Sequence, residues 1–184
     1  FLFDYALVPG KSGRKLMLNF GFKNKEIFTG VYSSLTHIFK NKQKPINRKK
    51  QFLYVGQFIH RKNIFRLIKA FEKVTHNKQD WKLILVGDGP LKSKIINLPK
   101  NIKILKNQSP KKLSKLYNES LFFILPSLRE HWGLVVHEAS LCGCFLLLSD
   151  NISSSCEFSN KKNTLIFKPK LISSIQKSIT MAMQ

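Results

Sequence analysis

The chain has 184 residues, a formal net charge of +22, 43% hydrophobic residues and 15 phenylalanines. This composition excludes a disordered chain, and the length suits one large core or one domain with part of another. Cys142, Cys144 and Cys156 cannot make a disulfide framework, no secretory signal is visible, and the apolar runs are too short to cross a bilayer.

Chain order gives the expected elements. The sequence opens at Phe1 without an initiator Met and already reads as structured, which predicts a piece of a longer protein. Residues 5–8 read as a strand ending at Pro9-Gly10, and 27–31 as a second. The run Lys40, Lys42, Lys44, Arg48, Lys49 and Lys50, with Pro45 inside it, reads as a solvated linker. Residues 52–55 read as a buried strand. A helix over 61–76 follows, with Ile64, Leu67, Ile68, Phe71 and Val74 on one face. Further strands are expected at 81–86, 102–105, 121–125, 144–149 and 164–167. Helices are expected from Ser109-Pro110 to about residue 118, over 133–141, and from about 170 to the end. Gly87-Asp88-Gly89-Pro90 is a turn whose backbone is expected to face a ligand.

Strands alternating with helices predict an α/β, doubly wound, Rossmann-like parallel sheet with helices on both faces. Such sheets bind ligands beyond the carboxyl ends of their strands, so the useful residues should follow strands.

The most informative segment is Pro126-Ser127-Leu128-Arg129-Glu130-His131-Trp132-Gly133-Leu134-Val135-Val136-His137-Glu138-Ala139. It follows a strand and opens a helix, yet no Ser, Thr, Asp or Asn stands between Leu128 and Glu138 to cap that helix. The first amides, at Gly133, Leu134 and Val135, are left without partners, and Gly133 lets a ligand come close. Free amides and the helix dipole together favour an anion such as a phosphate. Carboxylates are acceptors only and pair well with vicinal hydroxyls, so Glu130 and Glu138 suit the two sugars that flank a diphosphate. Glycoside hydrolysis would also use two carboxylates, about 5–9.5 Å apart; the fold argues against it.

Glu130-x7-Glu138, Pro126-Ser127, Tyr54-Val55-Gly56, Lys62, Ala70-Phe71, Val86-Gly87-Asp88-Gly89-Pro90 and Leu116-Tyr117 fall in an order and spacing that resembles the retaining GT-B glycosyltransferases of family 4, over about residues 52–167. That resemblance implies two Rossmann-like domains around a cleft. Residues 1–45 would be the end of an acceptor-side domain with its linker, and 46–184 the nucleotide-sugar-binding domain. It implies sugar transfer with retention of anomeric configuration, and no metal or other cofactor. Glu130 and Lys62 would be catalytic, the first on the donor sugar and the second neutralising the diphosphate. Gly133, Leu134 and Val135 would hold the diphosphate and Glu138 the ribose, with Gly56, Gln57, Arg61 and His131 completing the donor site. The sequence departs from the family pattern in three places. Gln57 stands where the family has Arg, leaving Arg61 to supply that charge. Asn63 stands where a Gly usually follows the Lys, and Asn163-Thr164 replaces an Asn-Gly.

A UDP-sugar is the favoured donor, a GDP-sugar the next, and the acceptor a saccharide or a lipid-linked one in cell-envelope polysaccharide or glycolipid synthesis. The expected setting is cytoplasmic, with the positive charge suiting peripheral contact with an anionic membrane at its inner face. Two alternatives stand beside this reading: a nucleic-acid-binding module on charge alone, for which no motif or interleaved aromatics exist, and a GT-B epimerase or phosphorylase. Gly10-Lys11-Ser12 is no phosphate loop, because Tyr5 stands where that pattern needs Gly. Cys142 and Cys144 are read as core residues rather than zinc ligands.

Overall fold

The computed structural model describes residues 3–30 and 32–184, so Val31, the last residue of the expected 27–31 strand, lies outside it. Two short strands come first, β1 (Ala6–Pro9) and β2 (Ile27–Gly30), parallel to each other and joined through α1 (Gly10–Asn19). The remaining elements are β3 (Lys49–Val55), α2 (Ile64–Thr75), β4 (Lys82–Val86), β5 (Ile102–Leu105), α3 (Pro110–Glu119), β6 (Ser120–Leu125), α4 (Leu134–Leu141), β7 (Phe145–Ser149), α5 (Ser155–Phe158), β8 (Thr164–Phe167) and α6 (Ile172–Ala182).

Strands β3 to β8 form one parallel sheet in the order β5-β4-β3-β6-β7-β8. The strands carry short buried apolar runs because helices cover the sheet: α3 packs on β3 and β6, α4 on β6 and β7, and α6 on β8, with α2 packed against α6. Numbered from β3, this is the order 3-2-1-4-5-6 of a doubly wound dinucleotide-binding sheet. Its direction of winding reverses between β3 and β6, so the loops after those two strands flank the crevice at their carboxyl ends. Phe52 anchors the core, stacked on Phe122 at 4.8 Å and edge-on to Phe71.

Three expectations need correction. Helix α1 was not expected; its amides carry no cap from their own turn, and the Lys11 amide donates instead to Glu157 Oε1 at 2.7 Å, 146 residues away. The helix expected from residue 61 starts at Ile64. A 3₁₀ turn (His60–Lys62) precedes it, and Asn63 turns the chain in a left-handed conformation at φ 60°. The basic run is no solvated linker throughout. Lys49 and Lys50 begin β3, and Arg48 is 7% exposed. Its guanidinium donates to the carbonyls of Tyr117 and Ser120, each at 3.0 Å, and of Cys142 at 2.6 Å. It also reaches Asn41 Oδ1 at 2.9 Å. Arg48 therefore pins the segment before β3 to the starts of β6 and β7. Cys142 and Cys144 are buried core residues, and burial raises the Cys144 thiol to about 12.

Candidate functional site

The chain leaves β3 at Gly56 and β4 at Gly87, and the two loops clasp backbone to backbone. Gly56 donates its amide to the Val86 carbonyl at 3.0 Å, and Phe58 to that of Asp88 at 2.8 Å. A Cβ on Gly87 would lie 2.0 Å from the Gly56 oxygen, so only glycine fits there. This clasp turns the Gly87–Gly89 backbone toward Gly56 and Phe58.

The clasp aims the 3₁₀ turn that carries Arg61 and Lys62 at the loop after β6, where Leu128 donates its amide to the Arg61 carbonyl at 2.7 Å. Glu130 is held at both backbone groups by the loop after β7: its amide donates to Asn151 O and its carbonyl accepts from the Ser153 amide, each at 3.1 Å. Its side chain is 9% exposed and pairs with the ammonium of Lys62, whose side chain is likewise 9% exposed. Ser127 Oγ at 3.3 Å and Arg61 Nη1 at 3.4 Å complete the carboxylate's surroundings. Below the pair, burial and then the Glu130 charge push the Tyr54 phenol well above its usual range; its hydroxyl donates to Gln57 O at 2.9 Å. A Cβ on Gly56 would meet that hydroxyl at 3.0 Å and Lys62 Cε at 3.7 Å.

Asn63 stands where the resembling family has glycine, and it adopts the left-handed conformation a glycine would take freely and Asn tolerates. Its side-chain Nδ2 also donates to the carbonyls of Pro126 and Pro169, at 3.1 and 2.8 Å, tying the start of α2 to the segments after β6 and β8.

Gly133, at φ 79°, is the residue before α4, and no side chain caps the helix there. Leu134 is exposed and Val135 half-buried at its tip. A Cβ on Gly133 would come within 3.1 Å of Glu130 Cγ, so the helix tip and the buried ion pair are neighbours. Contacts thus bring Gly56, Arg61, Lys62, Glu130 and Gly133 together. Gln57 and His131 are exposed.

Glu138 is a separate centre. Its Oε2 accepts from the Tyr117 hydroxyl at 3.0 Å and its Oε1 from the Ser34 hydroxyl at 3.3 Å. Burial raises its pKa above the usual carboxylate value, and both hydroxyls work against that rise. His137 stacks on Phe158 with ring centroids 4.4 Å apart, accepts the Ser34 amide at 3.4 Å on Nδ1, and has its pKa lowered by burial. Sequence reasoning named Ser127 and Tyr117 as motif positions without giving them these contacts, and it missed the part of Ser34.

The N-terminal segment meets the loop between β6 and α4 at Trp132, 5% exposed, which is edge-on to Tyr32 with centroids 5.9 Å apart. A cavity of about 330 Å³ beside this contact is lined by Gly10, Lys11, Arg14, Thr29, Gly30 and Glu157, and another of about 280 Å³ by Leu7, Val8, Pro9, Gly30 and Tyr32. Glu130, Lys62 and Glu138 line neither. Among the described residues no three His, Cys, Asp or Glu side chains converge as a metal-ligand set, and no helix is long and apolar enough to cross a membrane.

The parallel six-stranded sheet has the fold of GT-B glycosyltransferases, and its switch-point loops carry a buried Lys–Glu pair beside an uncapped helix tip. In fold the chain is similar to Anabaena HepE in complex with UDP and glucose, with TM-score 0.77 and 14% identity over 98% of this chain and 54% of that one. It belongs to the glycosyl transferases group 1 family, whose model matches residues 36–184. Among curated relatives, it is 32% identical over 129 residues to the putative teichuronic acid biosynthesis glycosyltransferase TuaC of Bacillus subtilis strain 168. That match covers 70% of this chain and 31% of TuaC. It is 30% identical over 133 residues to N-acetyl-alpha-D-glucosaminyl L-malate synthase of Bacillus anthracis, covering 65% and 34%. The chain spans about a third of the length of these two relatives.

Proposed function

We propose that this chain is the donor-binding half of a retaining, family 4 glycosyltransferase that takes a hexosyl group from a nucleotide sugar and passes it to a saccharide or lipid-linked acceptor. Residues 46–184 bind the donor, and 1–45 are the end of the acceptor-side domain with its linker. The observation that carries this reading is the buried Lys62–Glu130 pair set against the open helix tip at Gly133. A diphosphate seated on the amides of Gly133, Leu134 and Val135 lies within the field of Lys62 and Arg61, which balance the charge of a leaving nucleoside diphosphate.

In the reaction the bond between the anomeric carbon and the diphosphate oxygen breaks, its electron pair leaving with the nucleotide. The acceptor oxygen bonds to that carbon on the same face and passes its proton to the departing diphosphate oxygen. Lys62 lowers the energy of the departing charge. Glu130, held by Lys62, Arg61 and Ser127, offers its carboxylate to hydroxyls of the donor sugar. Glu138 takes the ribose hydroxyls, and Gly56, Gln57 and His131 border the donor.

A UDP-sugar is the first choice of donor, and the complex of HepE with UDP and glucose supports it. A GDP-sugar is the second. The name of TuaC, a putative teichuronic acid biosynthesis glycosyltransferase, supports a role in cell-envelope polysaccharide or glycolipid synthesis, and the charge of +22 suits peripheral contact with an anionic membrane. Calorimetry of the chain with UDP-, GDP- and ADP-sugars tests the donor site: Glu138→Ala should weaken the preferred donor about tenfold or more. Unchanged affinity would remove Glu138 from the site. A salt series with duplex DNA separates the reading from a nucleic-acid module, since backbone binding falls steeply with salt and a seated nucleotide sugar persists.

A further inference from the structure

The chain holds 32 basic residues against 10 acidic ones, yet among the described residues no Lys, Arg or His pairs with Glu138. Two hydroxyls satisfy it instead, and they differ in kind. Tyr117 is fully buried on α3, its ring edge-on to Phe39 with centroids 5.9 Å apart and tilted against Phe123 at 5.8 Å. Its backbone carbonyl is fixed by Arg48. A ring so enclosed has one orientation, and its hydroxyl meets Glu138 Oε2 at a full hydrogen-bond distance of 3.0 Å. Ser34 lies half-buried in the connection between β2 and β3 with exposed neighbours, and its hydroxyl reaches Oε1 only at 3.3 Å. One oxygen of the carboxylate is thus held at full hydrogen-bond distance by an enclosed ring; the other takes a longer contact from Ser34, whose amide also meets His137 Nδ1 at 3.4 Å.

We propose that Tyr117 is a positioning residue that presents Glu138 to a ribose diol, and that the Ser34 hydroxyl keeps the place on Oε1 that a ligand hydroxyl takes over. Together they make the site select ribonucleotides over 2′-deoxyribonucleotides. This rests on the assignment of Glu138 to the donor ribose made above. A carboxylate accepts hydrogen bonds and donates none, so it rewards each hydroxyl it is offered, and a 2′-deoxyribose offers one fewer. Without the Tyr117 hydroxyl, Oε2 loses its fixed donor and the carboxylate is free to turn, so selection between the two sugars weakens even where total affinity survives.

The test is calorimetric titration of the full chain with UDP and 2′-deoxy-UDP, for the native protein and for Tyr117→Phe, Ser34→Ala and Glu138→Ala. Native protein should favour UDP by about tenfold, the worth of one hydrogen bond to a charged group. Tyr117→Phe should bring the ratio near one, and Ser34→Ala should tighten UDP about threefold because a competing donor is gone. A merely structural role for Tyr117 would weaken both nucleotides alike and keep the ratio, which overturns the proposal while Glu138→Ala still abolishes the preference. If Tyr117→Phe does not fold, Ser34→Ala decides, and an unchanged or weaker UDP affinity there overturns the proposal. Should Glu138→Ala alter neither affinity nor ratio, or native protein bind neither nucleotide, the donor-site reading itself falls.

Discussion

Replacing Lys62 with Met tests the physical claim on which the site depends, that Lys62 and Glu130 are a buried pair. The two residues are 7% and 8% exposed. Removing one member of such a pair leaves an uncompensated charge in a poorly solvated place, which costs about 3–5 kcal/mol. Glu130 keeps Ser127 Oγ at 3.3 Å and Arg61 Nη1 at 3.4 Å, and Arg61 is itself near half-exposed, so the lower end of that range, about 3 kcal/mol, is expected. For a chain of this length that is a fall in Tm of roughly 6–12 °C. The double variant Lys62→Met with Glu130→Gln removes the orphaned charge and leaves an amide that Ser127 still reaches, so it should recover to within about 1 kcal/mol of the native protein. Urea unfolding of the four proteins, with m-values compared, measures the cycle. A loss below about 1 kcal/mol for Lys62→Met would mean that the pair behaves like a surface ion pair, and the burial argument would be refuted.

Two further outcomes follow from the same geometry. Burial raises the pKa of Glu138 in the ligand-free fold, so its stability contribution is fully present below the unfolded-state pKa and is lost as pH rises through the folded one. Ribose hydroxyls bind the ionised form, so nucleotide affinity should be full above the raised pKa and fall as pH drops through it; Glu138→Gln should flatten that profile in calorimetry. Arg48→Lys should cost about 2–4 kcal/mol in thermal unfolding, because one ammonium cannot span carbonyls that the planar guanidinium reaches on both sides. A loss under about 1 kcal/mol would show those carbonyls to be satisfied without it.

Much of the sheet was readable because a parallel strand covered on both faces is a bare apolar run, as at Leu83-Ile84-Leu85-Val86 and Phe123-Ile124-Leu125. The helix tip at Gly133 was readable from what it lacks, a capping side chain over the preceding residues. What escaped depends on partners far away in the chain. Helix α1 has glycines at Gly10 and Gly13 and no cap of its own, and the carboxylate at its first turn comes from Glu157. Arg48 looked solvated because its acceptors are backbone carbonyls 69 to 94 residues on, which no charge pattern announces. The left-handed Asn63 was within reach: Asn in place of an expected glycine before a helix is the residue that tolerates that backbone. Ser34, 104 residues from Glu138, left no local signal.

The glycine-on-glycine contact between the loops after β3 and β4 has a consequence for how substitutions distribute. With no side chain between Gly56 O and Gly87, the two crossings are rivets rather than cushions, and any added methyl at 87 must force them apart. A saturation library scored for folding alone should therefore tolerate broad change at the exposed Gln57, next to Gly56, while accepting glycine alone at 87. The sharpest boundary between permitted and forbidden positions would then fall beside the proposed donor pocket rather than deep in the core.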